Sequence, residues 1–278
     1  MNQKQKQIGI IAAVVILMGI LFFQPIKGLI NEQEETERES DGSMLVTFQS
    51  ESQRAKQGLN PAIIQEITDL EASLATAETD EEKEAILKQL VEKWDSVNKH
   101  SPMGFAYEEI ARMNNDPQYW LAAGDAYRTA YGAIQDTSIV FPLNSLAIHA
   151  YEQVLSQEAD NIHAKAGLGA AYVSGTSNPM GGIALLQEVV QADPDHLDAN
   201  KSLGLFSMQS RQFDKAIERF QKVVSLSPDA ESYFYLATSY ENIGLKGEAI
   251  AAFEQSKALA ADPTLNQFID RKIEELSK

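Results

Sequence analysis

Residues 197–228 read LDANKSLGLFSMQSRQFDKAIERFQKVVSLSP, and residues 231–263 follow as ESYFYLATSYENIGLKGEAIAAFEQSKALAADP. Laid over one another, the two stretches carry the same kinds of residue at the same places: Gly204 falls on Ala237, Ala216 on Ala249 and Phe220 on Phe253, each 33 residues apart. Upstream the spacing is 34, from Pro194 to Pro228, Gly182 to Ala216, Leu186 to Phe220 and Val189 to Val223, and 35 from Gly169 to Gly204. A recurrence of this length marks a chain built from one repeated supersecondary unit, and it overrides local readings. Each unit reads as a helix with a small residue at its eighth position, a short turn, and a second helix. That second helix carries a small residue at the twentieth position and a large apolar one at the twenty-fourth. No strand alternation of useful length occurs downstream of residue 60, so the body is predicted to be all-α.

The pattern resembles the tetratricopeptide repeat family, whose units read W-x2-L-G-x2-Y, then A-x3-F, then A and P. The first good copy is Trp120, Ala123, Gly124 and Tyr127, completed after an insertion by Ala147 and Tyr151. The second has Leu168, Gly169 and Tyr172, then Gly182, Leu186 and Val189, closing at Pro194; the third has Leu203, Gly204, Phe213, Ala216, Phe220 and Val223, closing at Pro228. The fourth runs Tyr233, Leu236, Ala237, Tyr240, Gly244, Ala249 and Phe253, closing at Pro263. A degenerate copy precedes them, with Leu90, Val91 and Trp94, then Gly104, Tyr107 and Ile110. The resemblance implies a helical-hairpin superhelix, an α-solenoid, in which no hairpin buries both of its faces alone and stability is a sum over neighbours.

Such a stack needs capped ends. Residues 264–278 supply one, with Leu265, Phe268, Ile269, Ile273 and Leu276 on one stripe of a helix. At the other end Asn60-Pro61 reads as an N-cap followed by a first helical proline, and Thr79-Asp80-Glu81-Glu82 as a capping box. The organisation expected is therefore N-terminal helices with the degenerate copy over 61–116, repeats over 117–263 and the capping helix over 264–278. Gly124 and Ala147 stand 23 apart where the family has about 12. The extra residues, Gln135 to Ser145, lengthen both helices or protrude as a loop. The Gly181-Gly182 pair is read as permitting close helix packing.

In the family the first helix of each pair lines the concave face, and its second, fifth, ninth, twelfth and thirteenth positions meet extended peptides. Carried over, that register implies a peptide-binding groove of Leu121, Asp125 and Arg128; His163, Ala166, Ala170 and Val173; Lys201, Leu205, Met208 and Gln209; and Phe234, Thr238, Glu241 and Asn242. Leu205, Met208 and Phe234 would form an apolar strip flanked by Arg128, Lys201 and Glu241, unless the C-terminal helix or a second subunit covers it. One subclass of the family grips C-terminal carboxylates with a Lys and Asn clamp. Leu205 stands where that Asn would be, so the clamp is not supported.

Composition removes other functions. There is no Cys, which rules out a disulfide framework, a Cys-ligated zinc module and a thiol enzyme. Lys plus Arg number 23 against 40 Asp plus Glu, a net charge of -17 that argues against nucleic acid as a partner. His100, His149, His163 and His196 show no ligand spacing, and neither a phosphate-binding glycine loop nor a nucleophile elbow occurs. No catalytic residue, cofactor or metal is therefore assigned.

The N-terminus bears on the compartment. Ile8 to Phe23, IGIIAAVVILMGILFF, holds eleven Ile, Val, Leu or Phe residues and no charge, and membrane insertion is favourable by roughly 3 to 6 kcal/mol. A secretory signal has the same layout, but no small-x-small cleavage pair follows Phe23 closely, so an uncleaved transmembrane anchor over 8–23 is the reading preferred. Lys4 and Lys6 precede the span, which places residues 1–7 in the cytoplasm and the solenoid outside, in the periplasm of a two-membraned bacterium. Residues 24–60 are expected to be an acidic linker with one short apolar patch, Met44 to Ser50. Within it, NEQEETERESDGS at 31–43 has no apolar residue to offset the entropy of folding.

The expectation from sequence is thus a protein of the bacterial inner membrane, single-pass, that binds protein or peptide partners as an interaction scaffold for envelope proteins. An apoprotein chaperone resembling the tetratricopeptide proteins of c-type cytochrome maturation, and a self-associating module forming a homo-oligomer, stand as alternatives.

Overall fold

The computed structural model describes residues 46–278, apart from residues 135, 176 and 177 and the side chain of Thr137. The apolar run 8–23 and the acidic stretch 31–43 lie outside the described residues. Among the described residues there are thirteen helices and no strand, and no helix is long and apolar enough to cross a membrane.

Four helices precede the good repeats: α1 (Phe48–Ala55), α2 (Pro61–Thr76), α3 (Asp80–Ser96) and α4 (His100–Asn114). The pairs follow as α5 (Pro117–Ala133) with α6 (Thr137–Gln157), α7 (Ile162–Gly175) with α8 (Pro179–Ala192), α9 (Leu197–Gln209) with α10 (Phe213–Leu226), and α11 (Ala230–Asn242) with α12 (Lys246–Leu259). Helix α13 (Pro263–Leu276) closes the stack. Consecutive helices pack on each other from α2 onward, and the first helices α5, α7, α9 and α11 also touch one another, so they share a face.

The sequence signals act where expected at most helix starts. Asn60 accepts the Ala62 N–H at 2.9 Å and Asp262 the Thr264 N–H at 2.8 Å, each meeting one of the unpaired donors of a first turn. The capping box at Thr79 is only half made: Thr79 accepts from Glu82 N–H, but the Glu82 carboxylate accepts from the N–H of Glu78.

Residues 48–55 differ from the linker expected over 24–60. They form α1, opened by a reciprocal cap in which Thr47 and Ser50 exchange side-chain and backbone hydrogen bonds. Serine at the third position disguises this signal, which is ordinarily read from Glu or Gln. The helix is fastened by polar contacts: Ser101 Oγ donates to the buried Glu51 at 2.5 Å, Arg54 pairs with the same carboxylate, and Lys56 Nζ meets Glu71 at 2.5 Å. Helix α4 begins without a side-chain cap of its own, so Glu51 also sets a negative charge beside its positive end. Glu51→Ala is expected to lower stability by about 1.5–3 kcal/mol, the cost of removing a charged partner from a buried network, measured as the shift of the thermal midpoint.

The insertion lengthens helices. Helix α5 has 17 residues and α6 has 21, against 13 or 14 in the pairs that follow, and Pro142 lies inside α6. Pro142 is the sixth residue of the helix, past the four N–H groups that a helix start leaves unpaired, so it removes one bond of the ladder near the start while the helix continues through it. The buried Asn144 fastens the extension by donating to the carbonyl of Ala171 at 3.2 Å.

The small positions sit where helices cross. Gly169, Gly204 and Ala237 are buried, and a Cβ built on Gly204 would lie 2.9 Å from the Phe220 ring. Backbones themselves meet at Gly182, where a Cβ would stand 2.5 Å from the carbonyl oxygen of Gly169. The large twenty-fourth-position residues Tyr151, Leu186, Phe220 and Phe253 fill the space between pairs and are fully buried.

Candidate functional site

On the face shared by the first helices lies a cavity of about 330 Å³. Its floor is Ala166, Gly167 and Ala170 of α7, and its walls are Leu121, Asp125 and Arg128 of α5, His163 of α7, and His196 and Asp198 at the start of α9. After His163, helix α7 presents only the small residues Ala166, Gly167 and Ala170 here, so the groove dips between its neighbours.

Arg128 reaches across this dip. Its Nη2 donates to Asp198 Oδ2 at 3.2 Å, joining α5 to α9 over a sequence distance of 70 residues. Beneath it Tyr151, from the second helix α6, passes its ring between two glycines: a Cβ on Gly124 would lie 2.7 Å from that ring and one on Gly167 only 2.3 Å. The Tyr151 hydroxyl emerges to donate to Asp125 Oδ1 at 2.7 Å. Burial acts against the charge on Arg128, but Tyr151, Asp198 and Asp125 outweigh it and hold its pKa above the ordinary value.

Two nitrogens of wall residues, Arg128 Nε and His196 Nε2, are buried from solvent and have no hydrogen-bond partner among the described residues. His196 caps α9, its Nδ1 accepting the Ala199 N–H at 3.3 Å. The other ring nitrogen, Nε2, therefore carries the proton and is a donor left without an acceptor. The His163 and His196 rings lie 5.5 Å apart. Among the described residues no group of three or more His, Asp or Glu side chains is placed to hold a metal ion.

Of the groove residues expected from the register, Leu121, Asp125, Arg128, His163, Ala166 and Ala170 come together here. The remainder divide. Val173 packs with Ile183 and Leu186 in a core cluster. Leu205, Met208 and Phe234, expected as an open apolar strip, are half-buried against the cluster that includes Phe220, Phe253 and Ile269. Phe234 faces Phe268 of α13 with ring centroids 5.8 Å apart, so the C-terminal helix covers part of the strip. The flanking charges are also engaged: Lys201 Nζ pairs with Glu231 at 2.5 Å and Lys272 Nζ with Glu241 at 2.9 Å. Thr238 and Asn242 bond back to carbonyls of their own helix, and Gln209 is exposed.

Asp198, Glu231, His196 and Tyr151 were not singled out from the sequence. Asp198 and Glu231 occupy second positions of the same register, so the rule that found Arg128 contained them. His196 precedes the helix and Tyr151 belongs to the second helix, so no register of the first helices reaches either.

Several phenols here titrate late. Burial first, and a neighbouring carboxylate second, push Tyr127, Tyr151 and Tyr235 up, the carboxylates being Glu108, Asp125 and Glu231; Tyr235 is pushed up to about 12. The unfolded chain loses these protons first, near pH 10, so the folded form binds more protons above that point. Stability fully present below pH about 10 is thus expected to fall as pH rises through about 12. The check is an alkaline titration followed by tyrosinate absorbance and circular dichroism together; ionisation of all the tyrosines before any loss of helix would contradict it.

Comparison with known proteins agrees with the repeat register. The sequence model described as tetratricopeptide repeat matches residues 207–265. No curated protein matches the chain. Among solved structures, a thermophilic tetratricopeptide protein of Thermus thermophilus, TTC0263, is similar at 16% identity, covering 68% of this chain and 98% of that one with a TM-score of 0.53. Its likeness is one of fold. The MamA protein is 22% identical over 62% of this chain and 89% of its own, with a TM-score of 0.46.

Proposed function

We propose that this tetratricopeptide-repeat protein is an interaction scaffold that receives segments of other proteins in the groove over α5, α7 and α9. One observation carries this reading: a cavity of about 330 Å³ with a floor of small residues opens on the face shared by the first helices. Small floor residues leave room for a side chain of an extended segment. Repeats of this class present such surfaces on the shared face of their first helices.

The partners on this reading are envelope proteins. The apolar run 8–23 supports anchorage in the bacterial inner membrane, with the N-terminus cytoplasmic and the repeats on the far side, in the periplasm. Full-length chain in detergent is expected to capture a set of envelope proteins, and Leu121→Ala with His163→Ala to lose them. The same pair should shift stability by about 1–2 kcal/mol, because His163 is exposed but Leu121 is half-buried against the cluster that contains Tyr151. Capture of the same set by the variant would reject the groove. For the anchor, deletion of 8–23 should release the protein from membranes, and the mass of the native protein should equal that of the uncleaved chain.

A further inference from the structure

We infer that the segment taken up in this groove is a basic one, an extended strand carrying Lys or Arg from a protein other than this chain. The inference rests on the groove reading above and adds the partner's chemistry to it.

The argument begins with which partner of each ion pair lies outside. Beside the cavity, Arg128 is 32% exposed and its partner Asp198 is 54%; in the next pair Lys201 is 31% exposed and Glu231 is 55%. In both, the cation is set against the protein and the carboxylate is turned to water. Along the shared face the four acids Asp125, Asp198, Glu231 and Glu241 stand against the three cations Arg128, Lys201 and Lys272, with Asp125 and Asp198 both acting on Arg128.

A ligand approaching α9 and its neighbours therefore meets the carboxylates of these two pairs first. A basic side chain joins such a pair as a third member and keeps the existing bond. An acidic one has to displace Asp198 from Arg128 or Glu231 from Lys201 before it gains anything, which costs the bond already there. The segment's intervening small or apolar side chains fit over Ala166 and Ala170. A second copy of this chain is disfavoured as occupant, because two bodies of net charge -17 repel.

The test uses the full-length chain in detergent and three labelled peptides of equal length, alternating Lys-Ala, Gln-Ala and Glu-Ala, followed by fluorescence anisotropy at physiological salt. The Lys peptide is expected to bind several-fold more tightly than the Gln peptide, and the Glu peptide most weakly. Asp198→Asn with Glu231→Gln should weaken the Lys peptide about fivefold and leave the Gln peptide unchanged, the scale of two partly exposed ion pairs. Because any acidic protein attracts a basic peptide, a charge-matched control is required: Glu92→Gln with Glu254→Gln removes the same charge at exposed sites on α3 and α12 and should change nothing. Equal weakening by both double variants would make the attraction non-specific and overturn the inference. Preference for the Gln or Glu peptide, lost on Leu121→Ala with His163→Ala, would overturn the basic partner but keep the groove. Failure of all three peptides to bind would reject both.

Discussion

Tyr151→Ala is expected to lower the stability of the repeat stack by about 3–5 kcal/mol, the cost found when a large buried ring is removed. The reason is local and cannot be repaired by collapse. The ring is fully buried and lies between Gly124 and Gly167, two residues with no side chain to move into the space. Removal leaves a void between α5 and α7, takes the hydroxyl from Asp125 and loosens the floor beneath Arg128. Tyr151→Phe keeps the ring and loses only the hydrogen bond, so about 1 kcal/mol is expected. Urea unfolding followed by circular dichroism separates the two. A loss below about 1 kcal/mol for the alanine variant would mean that neighbouring repeats carry the stack without this ring.

The second large effect is expected at Gly182. A methyl there meets the carbonyl oxygen of Gly169 at 2.5 Å and the Cβ of Tyr172 at 2.9 Å. A side-chain tip could swing aside, but a carbonyl inside a helix cannot move alone, so α7 and α8 must separate along their crossing. Gly182→Ala is therefore expected to cost about 1–3 kcal/mol, even though alanine favours a helix over glycine by roughly 1 kcal/mol. Gly132→Ala is the control: it lies in α5 with open space around its Cβ, so the same exchange should stabilise slightly. Opposite signs at the two sites would place the effect in packing. Gain of stability at both would remove the close crossing from the account.

Much of this fold is legible in the chain because a repeat states the same instruction several times. The spacing of Gly169, Gly204 and Ala237, and of Leu186, Phe220 and Phe253, marks helix crossings and their fillers without any knowledge of what touches what. Local signals failed where chemistry was substituted, as with Ser50 closing the cap of α1. The sequence leaves the course of the insertion open between longer helices and a loop, since Pro142 ordinarily argues against a helix.

The candidate site was legible only in part. A register finds side chains that point to one face, and it found Asp125, Arg128 and His163. It says nothing about whether a pointing side chain is free. Lys201 and Glu241 lie in register but are held by Glu231 and Lys272, and Phe234 is in register but lies beside Phe268 of the capping helix.

Amino-acid order alone thus determined the all-α class and the small-against-large packing, because those follow from helical periodicity and from a recurrence one hairpin long. The folded chain decided which part of the groove stays open, where the cations are committed and how Tyr151 reaches the opposite face. Those outcomes depend on contacts between residues as much as 70 positions apart, such as Arg128 with Asp198, and on the angle at which successive hairpins stack. No local pattern encodes that angle, because it arises from the summed packing of every pair on the next.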